Sequence, residues 1–115
     1  PAPLEWRALV GCYRLTQGPE TWSFALDSAA EPTSEEGARR ARSFVPRPEA
    51  VEEYWLLTDR NTVVYVQHEG WGMLMEFVVR GDSLTGIHHM RTDVIGWEPH
   101  VPAAAVREPC PAGAL

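Results

Sequence analysis

Apolar and polar positions alternate along most of this chain, and the clearest alternation turns back on itself between residues 72 and 91. From Met73 to Arg80 the odd positions (Met73, Met75, Phe77, Val79) are all apolar and the even ones are mixed, which predicts a strand with its odd face buried. Gly81-Asp82 follows as a two-residue turn with Gly at its first central position, the requirement of a type II′ hairpin. That turn pairs Arg80 with Ser83 and Val79 with Leu84, so Leu84, Gly86, His88 and Met90 join the odd face. His88 is then aimed inward and His89 away.

The same period recurs on both sides. Ala8 to Thr16 places Leu9, Gly11, Tyr13 and Leu15 on one face, and Thr21 to Asp27 alternates Trp22, Phe24 and Leu26 with polar or small residues. Further strands are expected at Val51 to Thr58, Thr62 to His68 and Ala103 to Glu108, separated by turn clusters at Gln17 to Glu20, Asp59 to Asn61 and Glu69 to Gly72. Residues 28–49 read as an irregular loop or a short helix over Ser34 to Arg42, with a short strand at Arg42 to Val45 as the alternative. Thr92 to Pro102 reads as a loop, and 109–115 as a frayed tail. The predicted fold is all-β: one domain over 1–115, an antiparallel up-and-down meander closing into a seven- or eight-stranded barrel with first and last strands adjacent.

Extending the hairpin register backwards locates the interior. A two- or four-residue turn near Gly70 pairs His68 with Met73 and faces Val64, Val66 and His68 inward, whereas a three-residue loop sends Tyr65 and Gln67 inside instead. A matching turn near Arg60 pairs Trp55 with Val66 and Glu53 with His68. Trp22, Phe24, Trp55, Met75, Phe77 and Met90 then wall a cavity, and Glu53, His68 and His88 collect at one end with the character of a polar pocket mouth. Three readings of that cluster stand: a hydrated rim, a ligand-orienting head group site, or chemistry, in which two His and a carboxylate resemble in type a facial metal triad or a His base held by Glu, with His88, His68 or Glu53 as the candidate catalytic groups. No metal site is assigned, because a triad needs a convergence that register alone does not establish and His88 and His89, as adjacent strand residues, point to opposite faces.

Composition narrows the partners. The chain has 115 residues, 44% of them hydrophobic, with five Trp, three Tyr and three Phe, rings enough to fill or line one core. A net charge of -6 disfavours nucleic acid and anionic membranes, and the run Arg39-Arg40-Ala41-Arg42 reads as a solvated turn behind Glu35-Glu36. Every basic residue other than histidine is Arg, so a Schiff-base lysine is excluded. No apolar run approaches the roughly 18 residues of a membrane span. The first residue is Pro1, which fits a processed mature form or a trimmed chain, with no signal peptide within it. Cys12 and Cys110 lie near opposite ends, where adjacent first and last strands would let them bond, implying a secreted or periplasmic protein; two separate buried thiols in a cytoplasmic protein are the alternative.

Gly11-Cys12-Tyr13 at the first strand, the meander and Arg107 near the end together resemble the lipocalin-like (calycin) superfamily, in which G-x-W opens the first strand and a late arginine packs across its ring. Here Tyr13 stands in the place of the Trp, the chain is shorter and no C-terminal helix follows. The resemblance implies barrel closure by Tyr13 and Arg107 and a carrier of small apolar molecules, and the absence of the G-x-W-x-G-x-G opening of the haem-binding members implies no cofactor. The expected function is binding of an apolar or aromatic molecule in the barrel, with Trp22, Phe24, Trp55, Met75, Phe77, His88 and Met90 as ligand contacts. A cofactor-independent cyclase or isomerase in the same cavity, and a ligand-free interaction module presenting Trp71 and Trp97, are the alternatives. A homodimer is left open.

Overall fold

Eight strands form one antiparallel ring: β1 (Gly11–Gln17), β2 (Glu20–Ala30), β3 (Arg39–Ser43), β4 (Glu52–Leu57), β5 (Thr62–His68), β6 (Gly72–Arg80), β7 (Ser83–Thr92) and β8 (Gly96–Glu108). Each pairs with the next, and β8 returns to β1 to close the barrel. The computed structural model describes residues 4–31, 36–44, 52–58, 60–68, 72–92 and 96–115; of these, 52, 68, 72, 73, 88–92 and 96–101 are described by backbone alone. Among the described residues no helix is long and apolar enough to cross a membrane.

The β6–β7 hairpin has the predicted register, from Arg80 opposite Ser83 through Phe77 opposite Gly86 to Met73 opposite Met90. The turn before it differs. His68 pairs with Gly72 and Gln67 with Met73, so residues 69–71 make a three-residue connection and the odd face of β5 is the inner one. Val63, Tyr65 and Gln67 line the bore in place of the expected Val64, Val66 and His68 row, and Val66 is buried on the outer face with Ala38 and Tyr54. The β4–β5 turn is also odd: the Thr58 N–H donates to Thr62 O at 2.9 Å, and Asn61, a residue that tolerates left-handed backbone, takes φ 57°. Trp55 therefore faces Tyr65, and Glu53 faces Gln67. Two one-residue shifts cancel, which leaves Glu53, Trp55 and Leu57 on the expected face for a different reason.

The loop expected at Thr92 to Pro102 is mostly strand. β7 runs to Thr92 and β8 starts at Gly96, with Pro99 opposite His89 at a register shift and Pro102 opposite Ile87. The ladder from β1 to β8 ends at Thr16 opposite Ala104, so the first part of β8 pairs with β7 alone. On that free edge a proline removes no ladder hydrogen bond, which is why two are accommodated. Upstream, Arg39–Ser43 is a strand where a loop or helix was expected, and Val45 lies outside the described residues. The first strand begins at Gly11, because Trp6–Leu9 forms a short 3-10 turn that carries Leu9 into the core.

Aromatic rings from β1, β2, β5 and β6 fill the bore. Phe24 is the hub: Tyr13 stacks on it at 5.5 Å, Tyr65 meets it edge-on at 4.9 Å, Trp22 lies at 5.8 Å and Phe77 at 6.4 Å. The wall from β7 to β8 supplies small side chains, Gly86, Ala103 and Ala105, which give those rings room. Gly86 has no alternative, since a Cβ there would lie inside the backbone of Glu76 and 2.9 Å from Phe77 Cα. Gly11 is constrained in two ways: its φ of 152° is one that L side chains rarely adopt, and a Cβ would strike the Arg107 guanidinium, the movable end of a side chain.

The tail is not frayed. Cys110 is disulfide-bonded to Cys12, Ala114 is buried on the outer face beside Cys12, Ala25 and Phe44, and Arg42 Nη1 donates to Gly113 O at 3.3 Å. The bond is compatible with an oxidising compartment. Two predictions follow from these contacts. Gly86→Ala should lower stability by about 3 kcal/mol or more, because backbone cannot yield, and Gly11→Ala by roughly 2 kcal/mol through a strained backbone and a displaced arginine, as read by urea unfolding. Cys110→Ser should cost about 2 to 5 kcal/mol, since the bond closes a loop with 98 residues of separation, and the wild-type chain should show no free thiol when denatured without reductant.

Candidate functional site

The two ends of the barrel differ in chemistry. At the lower end, where the β2–β3, β4–β5 and β6–β7 connections lie, the bore is plugged by Leu9 and Trp6 and clamped by Arg107. The Arg107 guanidinium lies 5.1 Å from the Tyr13 ring centroid; it donates to Val10 O at 3.0 Å and to Ala8 O, and its Nε is 3.6 Å from Asp82 Oδ1. Tyr13 Oη donates to Leu9 O at 2.7 Å. Burial raises the Tyr13 pKa from 10.0, outweighing the opposing pull of Arg107, so the ring stays a neutral donor. Arg39 and Arg7 lie over Trp6, with centroid distances of 3.3 and 4.5 Å, beside a cleft of about 170 Å³ lined by Leu4, Trp6, Arg39, Trp55 and Leu57 among others.

The upper end collects polar side chains, each at or next to the strand terminus there: Gln17 is the last residue of β1, Ser43 the last of β3, Glu53 the second of β4 and Gln67 the second from the end of β5. All four are buried. Glu53 is the centre. Its Oε1 accepts from Ser43 N–H and Ser43 Oγ, both at 3.2 Å, while Oε2 accepts from Tyr65 Oη and from Gln67 Nε2 at 2.9 Å. Gln67 Nε2 also donates to Tyr65 Oη at 3.1 Å, tying the phenol and amide together. A buried carboxylate is tolerable only when its oxygens are so occupied.

Of the residues expected to bind a ligand, Trp22, Phe24, Trp55, Met75 and Phe77 all lie inside the barrel at 1% exposure or less. Trp55 belongs to the lower end, where its indole N–H donates to Asp27 O at 2.8 Å. His88 and Met90 lie in register opposite Met75 and Met73, and His68 opposite Glu52 and Gly72 in place of Glu53 and Met73. The side chains of these three residues lie outside the described set, as does Trp71, and Trp97 is a β8 residue described by backbone alone. Among the described residues no three His, Cys, Asp or Glu side chains converge as metal ligands.

Tyr65, Gln67, Ser43 and Gln17 were not among the expected site residues. The signal for the first two was the three-residue alternative at 69–71, and for Gln17 the continuation of the odd series Tyr13, Leu15 by one more step. Ser43 has no comparable signal, because its neighbours do not alternate. Comparison of the chain with protein-family models, with curated proteins and with solved structures finds no match.

The chemical capacity of the upper end is that of a carboxylate held by neutral donors within an apolar wall. Tyr65→Phe removes one of the four donors on Glu53 without changing ring packing. It should destabilise the protein by about 1 to 3 kcal/mol by chemical denaturation, and Tyr65→Phe combined with Glu53→Gln should cost less than the sum of the single changes.

Proposed function

We propose that the protein binds one small molecule with an apolar or aromatic body at the upper end of the barrel, its polar head against the Glu53 cluster. The observation that supports this is the cluster itself. Burying a charge costs several kcal/mol per ion in effective terms, and well-packed apolar residues fill such positions as well or better where packing is the sole requirement. A few fixed polar groups in a ring-lined bore are instead the usual composition of a ligand pocket.

The Gly11-Cys12-Tyr13 opening with Arg107 across the Tyr13 ring agrees with a lipocalin-like carrier, the resemblance drawn from the sequence. The Cys12–Cys110 bond suits a secreted or periplasmic carrier. A second reading, the ligand-free module, is favoured by the packing around Phe24, which leaves the described part of the bore filled from Tyr13 to Phe77. The two readings differ at the upper end alone.

Native mass spectrometry of the protein from its source, with tryptophan fluorescence on adding an apolar aromatic probe, separates them. The carrier reading expects one retained molecule per chain or saturable quenching, weakened about tenfold by Glu53→Leu. No retained mass and no saturable response in folded wild-type protein would sink it.

A further inference from the structure

Resting on the binding reading above, we infer that the head group taken by the upper end is a cationic hydrogen-bond donor, a protonated amine or an amidinium, and not an acid. The argument is a count of donors and acceptors. Ser43 N–H, Ser43 Oγ, Tyr65 Oη and Gln67 Nε2 all donate, and all are directed at Glu53. A backbone N–H and a side-chain amide N–H have no acceptor role to play, and both carboxylate oxygens already accept, which is the pattern of the ionised group. Among the described residues no Arg lies against it: the ion pairs of Arg14 and Arg107 go to Glu108 and Asp82 on the outside.

Gln17 supplies the independent observation. It is 7% exposed, and alternation along β1 turns it inward with Tyr13 and Leu15. Its Oε1 is buried and accepts no hydrogen bond. An orphaned acceptor of this kind costs about 1 to 3 kcal/mol, a penalty that a bound donor would remove. Gln17 ends β1 and Glu53 begins β4, so the orphaned acceptor and the buried charge sit on different walls of the same end of the bore. Gln17 Oε1 calls for an N–H or O–H group, while Glu53, whose oxygens already hold four donors, contributes negative charge. A carboxylate or phosphate would meet one negative charge and one more acceptor, in a chain whose net charge is already -6. A protonated amine satisfies both, and its aromatic or aliphatic body finds the buried Trp22, Phe24 and Met75 side chains of the bore.

The test is a matched panel on folded wild-type protein at pH 7: 2-phenylethylamine, 2-phenylethanol and 3-phenylpropionate, each titrated by calorimetry and tryptophan fluorescence. The amine should bind at least tenfold tighter than the alcohol and more tightly still than the acid. Glu53→Gln, which keeps shape and removes charge, should abolish that preference. Gln17→Leu removes the orphaned acceptor, so it should raise the melting temperature while weakening the amine severalfold, a pair of effects that misfolding cannot produce. Equal binding of the three probes, or preference for the acid, overturns the amine inference and leaves the carrier reading standing. Absence of saturable binding by all three overturns both.

Discussion

Packing around the Phe24 ring organises the molecule. Four other rings, contributed by β1, β2, β5 and β6, lie within 6.4 Å of its centroid, so one side chain joins strands that are distant along the chain. Each fully buried ring contributes about 1.5 to 3 kcal/mol by area, and each well-oriented pair roughly 0.5 to 1.5 kcal/mol more. Geometry then follows from volume. Five large rings on one side of a narrow bore require small residues on the other, and Gly86, Ala103 and Ala105 stand there.

Polarity is distributed with the same economy. Arg107 closes the lower end by lying on Tyr13 and bonding the carbonyls of the 3-10 turn, so the charged group stays at the rim where water still reaches it. Glu53 is the opposite case, a charge within the wall whose environment consists of neutral donors. Among the described residues no cation faces that charge, which is the basis of the cationic head group inferred above. The buried and unfilled Gln17 acceptor points the same way.

The outer face carries its own small core. Cys12 and Ala25 lie on the solvent side of β1 and β2, positions that alternation alone would leave wet, and the chain beyond Cys110 covers them. Glu108 joins Arg14 and Ser23 across the same face, linking β8, β1 and β2 at the seam where the barrel closes. Because the bond spans nearly the whole chain, it opposes separation of the first strand from the last, the step by which a barrel would open.

The sequence by itself determined the strand directions, the closed meander, the β6–β7 register and the burial of Trp22, Phe24, Met75 and Phe77, because period-two alternation and a Gly-Asp turn are local properties. The inner face of β5 was decided by the fold alone. A connection of three residues and one of two or four differ by a single step, and that step exchanges Val64 and Val66 for Tyr65 and Gln67; the local sequence around Gly70 permits either. Glu53 was recognised as an inward carboxylate, but the partners that make it a site come from β3 and β5, strands whose facing depends on that parity. The strand at Gly96–Glu108 and the packed tail were hidden for a related reason: proline is tolerated where a strand has one neighbour, and a terminus is ordered where a disulfide holds it, and both conditions exist only once the ring is closed.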